Sequence, residues 1–350
     1  MHRSRIAGIG MAVPKRVVTN NDLAAKMETS HEWIVERTGI EERHWVDPGE
    51  GGAEMATKAA KEAIERAGIT AKDIDLIIYA TLSPDFNFPG TGVFVQRQLG
   101  LKEIPCLDIR QQCTGFIYGL QVADALLRTK VAKRLLLVGA EVHSGFMPWK
   151  DHGVVFGTSN TKVSDEEREF NTRYRDRTVL FGDAAGAVVL GRDAEPHGLV
   201  DSIIHSDGQF AEKLYVPSGF KWRPYITEAM VKEGRHIPEM DGQRVFRHAL
   251  AKLPEVVHEV LRRNGLALGD VTLLLAHQAN LRLNEAVQKA LGLPDDRVYN
   301  NIQRYGNTTA ATIPIAYHEC RHNGRIARGD LVCFVALGAG FHWGAALMRH

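Results

Sequence analysis

The chain alternates between long segments with a helical period and short runs that are apolar throughout. Residues 53–67 combine strong helix formers with a helical period, and Gly68 ends the segment. Residues 75–82 follow as an apolar run that is typical of a strand buried in a parallel sheet. The same order recurs far downstream, where a helix predicted over 245–264 leads into the apolar run 271–276.

The two stretches are copies of one pattern. Gly68 aligns with Gly265 and Asp73 aligns with Asp270, and no gap is needed because both pairs lie 197 positions apart. Such self-similarity at a fixed spacing indicates an internal duplication. Because each copy alternates helices with buried strands, we expect two α/β halves whose sheets are mainly parallel.

The duplication continues at a slightly different spacing. Residues 108–115 align with 301–308 at an offset of 193. Each copy then passes through a helix into an apolar strand, at 135–140 in the first copy and at 331–340 in the second. We therefore expect corresponding residues of the two copies to lie near the axis that relates them.

Two long polar segments, 144–177 and 217–240, interrupt this pattern. We expect them to be irregular, and loops of this length are usually covers or binding loops, although a solvated surface excursion is the alternative. We divide the chain close to the first of them, into an N-terminal half (1–178) and a C-terminal half (179–350).

The composition of the 350 residues is that of a globular protein, with 44% hydrophobic and 24% charged residues. There are 43 basic and 42 acidic residues, and the resulting net charge of +1 predicts neither a nucleic-acid nor a membrane partner. No run approaches the ~20 apolar residues of a membrane span. The run from Ile6 to Val13 is short and broken by glycines, so we expect a buried first strand and not a signal peptide.

The chain has four cysteines: Cys106, Cys113, Cys320 and Cys333. Their spacing matches no zinc or disulfide pattern, which favours a reducing compartment, and we expect a cytoplasmic protein. Cys106 and Cys333 fall inside apolar runs and are predicted to be core residues. Cys320 forms an H-x-C-x-H segment with His318 and His322. We interpret this segment as a solvated helix face and expect no metal, because the sequence shows no second ligand cluster.

Cys113 is the strongest candidate for chemistry. It follows a strand predicted over 104–109 and precedes an apolar helix that is rich in small residues. A cysteine at a helix N-terminus lies near free backbone N–H groups and the positive end of the helix dipole, both of which favour the thiolate. The thiolate is the form that attacks a thioester carbonyl. Taken alone, a buried structural role is the more common fate of such a residue.

Two polar residues of the C-terminal half fall at related positions. His277 ends the predicted strand 271–276, and open α/β sheets place their sites at the carboxyl ends of strands. Asn307 precedes an apolar helix. Taken alone, Asn307 would be interpreted as a helix N-cap, and His277 is as compatible with a structural role as with a functional one. The duplication places Asn307 next to the position that corresponds to Cys113. We therefore expect the side chains of Cys113, His277 and Asn307 to converge between the halves.

A glycine-rich turn follows the strand predicted at 331–340. Gly338, Ala339 and Gly340 leave this strand, and the chain then returns through an apolar segment. Such a turn can direct a backbone N–H into a cleft, as an oxyanion hole requires. The alternative is an ordinary β-turn between two terminal strands.

Six segments carry further motifs: TSHEWIVERTGIEERH (29–44), DIRQQCTGFIYGL (108–120), VLFGDAAGA (179–187), HQANLR (277–282), YGNTTAATIP (305–314) and GAGFHWGAAL (338–347). Several independent motifs in this order carry far more weight than one short match. Over nearly its whole length the chain resembles the β-ketoacyl-acyl-carrier-protein synthase III group of the thiolase-like condensing enzymes. The resemblance implies two duplicated α/β halves that form a five-layered α-β-α-β-α sandwich.

The resemblance also implies a role for each matching catalytic residue. Cys113 is similar to the family's acyl-accepting nucleophile, and His277 and Asn307 are similar to the pair that binds the malonyl thioester carbonyl as decarboxylation creates an enolate. The backbone N–H groups of Cys113 and Ala339 resemble the oxyanion hole. The implied activity joins an acyl-coenzyme A primer to malonyl-acyl carrier protein, in fatty acid or related biosynthesis. It implies no cofactor, since the coenzyme A thioesters are substrates.

Other matches concern the substrates and a partner subunit. Six positions resemble the family's contacts to coenzyme A, with Trp33, Arg37 and Arg175 at the adenine and Gly242, Gln243 and Phe246 along the pantetheine channel. Arg282 matches a basic residue that docks the carrier protein. Phe88 resembles a residue that shapes the acyl pocket of the partner subunit, which implies a homodimer.

The chain departs from the family at several positions. Ala339 stands where the family often has glycine, Leu337 where the prototype has a phenylalanine thought to assist decarboxylation, and Tyr305 where a histidine is usual. The polar segments 144–177 and 217–240 are longer than in the short housekeeping members. These departures bear on the substrate, and we expect a primer longer or bulkier than acetyl.

Three other functions remain open. Relatives with this fold in specialised metabolism condense unusual acyl groups, or transfer an acyl group to an amine or alcohol without decarboxylation. A cysteine hydrolase also uses a Cys, His and Asn set, but HQAN and GNTTAA at the duplication spacing do not resemble that class. A non-catalytic partner subunit of a condensing complex is expected to lack the nucleophile, whereas Cys113 is present.

Overall fold

The computed structural model describes residues 3–149, 151–153, 158–159, 161–193 and 197–350. Its strands are β1 (Arg3–Ala12), β2 (Arg16–Thr19), β3 (Glu42–Trp45), β4 (Leu76–Ala80), β5 (Cys106–Ile109), β6 (Arg134–Glu141), β7 (Ala184–Asp193), β8 (Gly198–Ser206), β9 (Leu214–Tyr215), β10 (Glu239–Met240), β11 (Leu273–Ala276), β12 (Leu331–Gly338) and β13 (His342–Arg349). Its α-helices are α1 (Asn20–Ala24), α2 (His31–Thr38), α3 (Gly52–Arg66), α4 (Gly92–Gln98), α5 (Gly115–Arg128), α6 (Asp165–Arg173), α7 (Arg175–Thr178), α8 (Glu228–Lys232), α9 (Gly242–Arg263), α10 (Leu281–Leu291), α11 (Ile302–Tyr305) and α12 (Thr312–His322). Among these helices we find none with the length and apolar content to cross a bilayer.

Two mixed sheets form the body of the protein. The first has the order β1-β7-β6-β4-β5, in which β4 is parallel to β5 and β6, and β7 is antiparallel to β6 and β1. The second has the order β11-β12-β13-β8, in which β11 and β12 are parallel and the remaining pairs are antiparallel. The prediction of mainly parallel sheets is therefore confirmed for the pairs among β4, β5 and β6 and for β11 with β12. It is wrong for the second sheet as a whole, in which two of the three pairs are antiparallel.

The two sheets and their covering helices form five layers. Helices α5 and α12 lie between the sheets, where Phe116 and Ile313 share one apolar core with Ile78 of the first sheet and Phe334 of the second. Helix α3 packs on the outer face of the first sheet, and α9 and α10 pack on the outer face of the second. Strands β4 and β12 are buried on both faces, which explains why they are apolar at every position. The layers follow the order α-β-α-β-α that the resemblance implied.

The duplication is visible in the structure, but its spacing at the candidate site differs from the predicted one. The 3₁₀ turns Gln112–Thr114 and Thr309–Ala311, which precede α5 and α12, lie 197 positions apart. The predicted offset of 193 is therefore wrong at these turns. Helix α11 has no equivalent in the first half. Its four residues lengthen the second copy, so the offset between corresponding residues rises from 193 to 197 at the turns. The structural counterpart of Cys113 is thus Ala310.

The long polar segments are more regular than the sequence predicts. In the described part of 144–177, the side chain of Ser164 accepts a hydrogen bond from the Glu167 N–H and begins α6, whose first turn holds three acidic residues that suit the helix dipole. Within 217–240 the chain forms α8 and then β10, which pairs with β9. The expectation of irregular loops is wrong for these parts.

The cysteines outside the turn at Cys113 differ in their surroundings. Cys333 is fully buried in β12, as predicted, whereas Cys106 is half-buried because β5 lies at a sheet edge. The side chain of Cys320 is 0% exposed. The prediction that Cys320 lies on a solvated helix face is wrong, because α12 lies between the two sheets and Cys320 is on its core side.

Candidate active site

Cys113 lies in a sharp turn between β5 and α5. Its neighbour Gln112 has a φ of 46°, a backbone conformation that non-glycine residues rarely adopt, and helix α5 begins immediately afterwards at Gly115. Gly338, at the end of β12, packs so closely that a Cβ atom there would lie 2.9 Å from the Cys113 backbone nitrogen. The bend and the neighbouring glycine place the thiol at the helix N-terminus, where the sequence predicted it.

The thiol of Cys113 is not ionised in advance. Burial raises its pKa to about 12 and the nearby Glu141 carboxylate adds to the increase, whereas hydrogen bonds from the Cys113 N–H and from Thr309 lower that pKa. The backbone N–H at the helix N-terminus does favour the thiolate, as the sequence predicted, but desolvation outweighs this effect. The thiol proton has to leave as the sulfur attacks.

His277 directly follows β11, and its backbone N–H donates a hydrogen bond of 2.8 Å to the Val335 carbonyl of β12. Its Nδ1 lies 2.8 Å from Oγ1 of Thr312, the first residue of α12. Its Nε2 is buried and has no hydrogen-bond partner among the described residues. Because burial lowers the pKa of His277 to about 3, the ring is neutral near pH 7.

Asn307 is fixed by its backbone and by its side-chain oxygen. The Asn307 N–H donates to the Leu180 carbonyl at 2.8 Å, and the Asn307 carbonyl accepts from the Gly182 N–H at 3.2 Å. Its Oδ1 accepts a hydrogen bond of 2.9 Å from the Thr309 N–H. Because this oxygen is already engaged, the amide NH₂ is the group available to a ligand. Asn307 therefore offers a hydrogen-bond donor.

The glycine-rich turn connects β12 to β13, and all three of its residues line the same cavity as Cys113. Gly340 has a φ of 135°, which favours glycine, and the peptide bond between Gly340 and Phe341 is cis. Ala339 lies outside the positive-φ region. Alanine is thus compatible with this turn, and its N–H is retained at the position where an oxyanion hole is expected.

His143 and Thr309 belong to the site although the sequence analysis did not select them. The His143 ring stacks on Phe181, with centroids 4.5 Å apart and an interplanar angle of 3°. Its Nε2 lies 2.9 Å from Oγ1 of Thr309, the residue that also hydrogen-bonds to Cys113. Burial lowers the pKa of His143 to about 3, so a second neutral imidazole lines the cavity.

Glu141 is a further buried group near the thiol. It accepts hydrogen bonds from the hydroxyls of Thr81 and Ser83, and burial nevertheless raises the pKa of Glu141 to about 7. Glu141 is the last residue of the apolar strand β6 and His143 comes two residues later, much as His277 directly follows β11. A polar residue at the carboxyl end of a buried strand is the signal that could have found them.

One cavity of about 1450 Å³ joins the candidate residues. Its lining includes all the predicted catalytic residues: Cys113, His277, Asn307 and Ala339. Four predicted substrate contacts also line it: Trp33, Arg37, Gly242 and Phe246. The structure leaves the other four outside the lining: Phe88, Arg175, Gln243 and Arg282.

Trp33 lies between two guanidinium groups. The Arg37 and Arg175 guanidinium carbons are 4.5 Å and 4.6 Å from its ring centroid. Arg175 therefore contacts a lining residue, Trp33, although it is not itself part of the lining. An indole flanked by two cations suits a planar group that carries phosphates, because arginine both stacks and binds phosphate.

Two further groups of residues belong to the lining of the cavity. One group comes from the segment 217–240 and includes Phe220 and Tyr225, whose rings stack with centroids 5.0 Å apart. The other comprises residues of the loop after β4 together with Phe94 and Gln98 of α4. At about 1450 Å³, the cavity exceeds the usual volume of a pocket for one drug-sized ligand.

Two family models match the chain. The model of the 3-oxoacyl-[acyl-carrier-protein] synthase III C terminal matches residues 261–350. The model of 3-oxoacyl-[acyl-carrier-protein] synthase III matches residues 107–161 and 154–208. Both halves of the duplication are therefore represented.

Individual relatives agree with the family models over the full length. The chain is 41% identical to the β-ketoacyl-[acyl-carrier-protein] synthase III of Erythrobacter litoralis over 353 aligned positions, which cover 100% of both chains. The crystal structure of the synthase III from Aquifex aeolicus superposes with a TM-score of 0.85 at 37% identity, covering 99% of this chain and 100% of that one. The priming β-ketosynthase of a polyketide biosynthetic pathway also has a TM-score of 0.85, at 28% identity, covering 99% and 96%. The fold is thus the thiolase fold, and the chain belongs to the β-ketoacyl-[acyl-carrier-protein] synthase III family.

Proposed function

We propose that the chain joins an acyl-coenzyme A primer to malonyl-acyl carrier protein with loss of carbon dioxide, in fatty acid biosynthesis. The observation that carries this proposal is the convergence of Cys113, His277 and Asn307 on one cavity. A thiol nucleophile next to two neutral hydrogen-bond donors suits acyl transfer followed by enolate formation.

In the first half-reaction, the Cys113 sulfur attacks the thioester carbonyl of the primer. Because the pKa of the thiol is about 12, the proton leaves during the attack and ends on the departing coenzyme A sulfur. The N–H groups of Cys113 and Ala339 stabilise the tetrahedral oxyanion. The products are acyl-Cys113 and free coenzyme A.

In the second half-reaction, His277 and Asn307 bind the thioester oxygen of the malonyl group. The bond between the malonyl α-carbon and its carboxylate breaks and carbon dioxide leaves. The electron pair of that bond stays on the remaining fragment and forms an enolate. The enolate carbon attacks the carbonyl of acyl-Cys113 and displaces the sulfur, which takes up a proton. A neutral ring suits this step because it donates a hydrogen bond without transferring a proton to the enolate carbon, and burial keeps the pKa of His277 near 3.

The substrate contacts follow from the lining and from the resemblance. Trp33, Arg37 and Arg175 hold the adenine, and Gly242, Gln243 and Phe246 flank the pantetheine. Arg282 docks the carrier protein. In support, the Asn280 side chain accepts from the Arg282 N–H and donates to the Arg37 carbonyl at 2.9 Å, so the two sites adjoin.

A homodimer formed through β5 completes the proposal. Strand β5 is an edge of the first sheet, and its Leu107 is 42% exposed. In the segment that follows the neighbouring strand β4, Phe86 and Phe88 are 57% and 82% exposed. An exposed edge strand with apolar side chains is a template for pairing with a second copy. In that dimer Phe88 shapes the partner's acyl pocket.

The proposed compartment is the cytoplasm. All four cysteines are free, including the buried Cys320 and Cys333. Free thiols persist where glutathione and thioredoxin keep them reduced, and Cys113 has to stay reduced to act as a nucleophile.

The alternative is a condensing enzyme or acyltransferase of specialised metabolism, which the similarity to a priming β-ketosynthase favours. Intact-protein mass spectrometry with a panel of acyl-coenzyme A primers, followed by carbon dioxide release from malonyl-acyl carrier protein, tests both. Self-acylation with carbon dioxide release supports the proposal. Self-acylation followed by transfer to an amine or alcohol without carbon dioxide supports the alternative, and the absence of self-acylation contradicts both.

A further inference from the structure

A cluster of metal-ligating side chains lies outside the cavity, where α12 meets α3. His318 and His322 are one turn apart on α12, and their ring centroids are 4.0 Å apart. Glu62 of α3 faces them, with Oε1 at 2.9 Å from Nε2 of His318. One ligand atom from each of the three residues lies within 4.8 Å of the other two. Among the described residues this is the one group of its kind.

The spacing suits a small tetrahedral cation. Zinc binds imidazole nitrogen and carboxylate oxygen at about 2.0–2.2 Å, which places neighbouring ligand atoms roughly 3.5 Å apart. The three ligand atoms lie within 4.8 Å of one another, and His322, at the exposed end of α12, is the ligand with the most room to move toward the other two. Two histidines at i and i+4 of a helix with a carboxylate from another segment are a common zinc ligand set.

The groups around the cluster already orient the three ligands. The Glu62 Oε2 accepts a hydrogen bond of 2.9 Å from the Met11 N–H, which fixes the carboxylate plane. His322 Nδ1 lies 2.6 Å from the His318 carbonyl, so its proton sits on Nδ1 and Nε2 keeps a lone pair. Hydrogen bonds of this kind orient metal ligands in known sites. Arg66 also contacts Glu62 at 2.9 Å, and its half-exposed side chain can turn to solvent.

In the absence of an ion, Nε2 of His318 donates its proton to Oε1 of Glu62 at 2.9 Å. A cation that binds Nε2 takes the place of this proton, and the ring proton then sits on Nδ1. The ion is held in this way by a neutral imidazole and a carboxylate, which are the forms that bind a metal.

The sequence of α12 from His318 to His322 also has the H-E-x-x-H form of zinc peptidases, but the structure separates its glutamate from the cluster. Glu319 accepts hydrogen bonds from Tyr305 at 2.9 Å and from Asn301 at 2.7 Å, on another side of the helix. It is therefore not available as a general base beside the histidines. The cluster can hold an ion but lacks the group that would activate water.

We propose that Glu62, His318 and His322 bind one divalent transition-metal ion of the zinc type, which fastens helix α12 of the second half to helix α3 of the first. The ion leaves one coordination position to water. Because α12 begins at Thr312, which contacts His277, the ion braces the helix on which the candidate active site rests. This site is independent of the proposed condensation activity.

Zinc chloride titration of the chelator-treated full chain by calorimetry tests the proposal. The Cys113→Ala background removes the active-site thiol as a competing ligand. We expect one strong site per chain that weakens at least tenfold in His322→Ala and in Glu62→Gln. His258→Ala, which removes an exposed histidine of α9, is the matched control and should bind as before. Equal affinity in His322→Ala and the control, or no binding at all, overturns the site.

Cobalt provides a second measurement that identifies the ligands. Cobalt chloride should give visible ligand-field bands of a four-coordinate nitrogen and oxygen site, and these bands should disappear in His322→Ala. A thiolate charge-transfer band, or bands that persist in His322→Ala, would place the ion elsewhere and overturn the assignment. His322 is exposed and lies at the last residue of α12, so its replacement leaves the fold intact.

Discussion

Oγ1 of Thr312 lies 2.8 Å from Nδ1 of His277 and 2.9 Å from the carbonyl oxygen of Thr309. The hydroxyl has one proton and can donate it to only one of these groups. If it donates to the carbonyl, Nδ1 of His277 carries the ring proton and Nε2 is a bare lone pair. If it donates to Nδ1, then Nε2 carries the proton and becomes the donor that an enolate oxygen needs. The orientation of one hydroxyl therefore selects the tautomer of His277.

Thr312→Val should impair decarboxylation while self-acylation of Cys113 continues. Valine keeps the shape but cannot donate to Nδ1, so the Nε2–H form of His277 loses its support, and losses of ~10²-fold are typical for one preorganised donor. Carbon dioxide release from malonyl-acyl carrier protein measures the effect. Thr312→Ser retains the hydroxyl and should keep most of the rate, and equal rates in the two variants would contradict the role of the hydroxyl.

Cys113→Ala should form no acyl adduct. The thiol is the proposed acceptor, and Cys106 is the other cysteine that is not fully buried, although burial raises its pKa to about 11. Intact-protein mass spectrometry after incubation with an acyl-coenzyme A measures the adduct. Cys106→Ala serves as the control and should acylate normally. An adduct that persists on Cys113→Ala would remove the residue from the mechanism.

His277→Ala and Asn307→Ala should lose condensation and keep some self-acylation. Both residues act on the malonyl thioester, which enters only after Cys113 is acylated. Single-turnover acylation and overall product formation, measured side by side, separate the two half-reactions. Complete and equal loss of acylation and of product formation in either variant would contradict the assignment of that residue to the second half-reaction alone.

Glu141→Gln should change how stability depends on pH. Burial raises the pKa of Glu141 from 4.5 to about 7, so between these values the folded chain keeps a proton that the unfolded chain has lost. The stabilising contribution is thus fully present below pH 4.5 and is lost as pH rises through 7, by about 3 kcal/mol in total. Glutamine does not ionise, so the stability of the Glu141→Gln variant lacks this pH-dependent loss.

Urea unfolding at pH 5 and pH 8 measures the difference. The free energy of unfolding of Glu141→Gln relative to the unmodified chain should rise by about 2–3 kcal/mol between the two pH values. Glu285→Gln, an exposed position on α10, is the matched control and should show a constant difference. A constant difference for Glu141→Gln as well would mean that this carboxyl is ionised in the folded protein.

The preferred primer should be longer than acetyl. The apolar residues Leu82, Phe86 and Phe94 line the same cavity as Cys113, and Leu337 in this lining is smaller than a phenylalanine. Each methylene that becomes buried contributes about 0.8 kcal/mol, so two of them favour the longer primer about tenfold. Values of kcat/KM for acetyl-, butyryl-, octanoyl- and dodecanoyl-coenzyme A decide the matter. If acetyl is the best primer, the housekeeping role is the better interpretation.

Much of the fold could be predicted because the strands are buried on both faces and the helices end at glycines. The helix predicted over 53–67 is α3 (Gly52–Arg66), and the strand predicted over 271–276 is β11 (Leu273–Ala276). The positions of Cys113, His277 and Asn307 on one cavity also follow from the duplicated order of elements. The periodicity of apolar residues is informative here because the side chains that face the core have to be apolar.

Features that depend on contacts between distant residues could not be predicted in this way. Glu62 meets His318 across a sequence separation of 256 positions, which no local pattern records. The pKa of Cys113 depends mainly on burial and on Glu141, and these two effects outweigh the lowering effect of the local helix N-terminus. The short helix α11 shifted the alignment at Thr309, which hid its contact with the thiol.

The positive φ of Gln112, 46°, has a near-identical partner in the second half, where Thr309 has a φ of 49°. Such a backbone costs about 1–3 kcal/mol, and in the first half it presents Cys113. In the second half the equivalent Ala310 presents no reactive group, yet the bend is kept. The bend therefore belongs to the duplicated pattern and not to the nucleophile alone. One copy of the bend presents the Cys113 thiol, and the other presents the Thr309 hydroxyl, which hydrogen-bonds to that thiol.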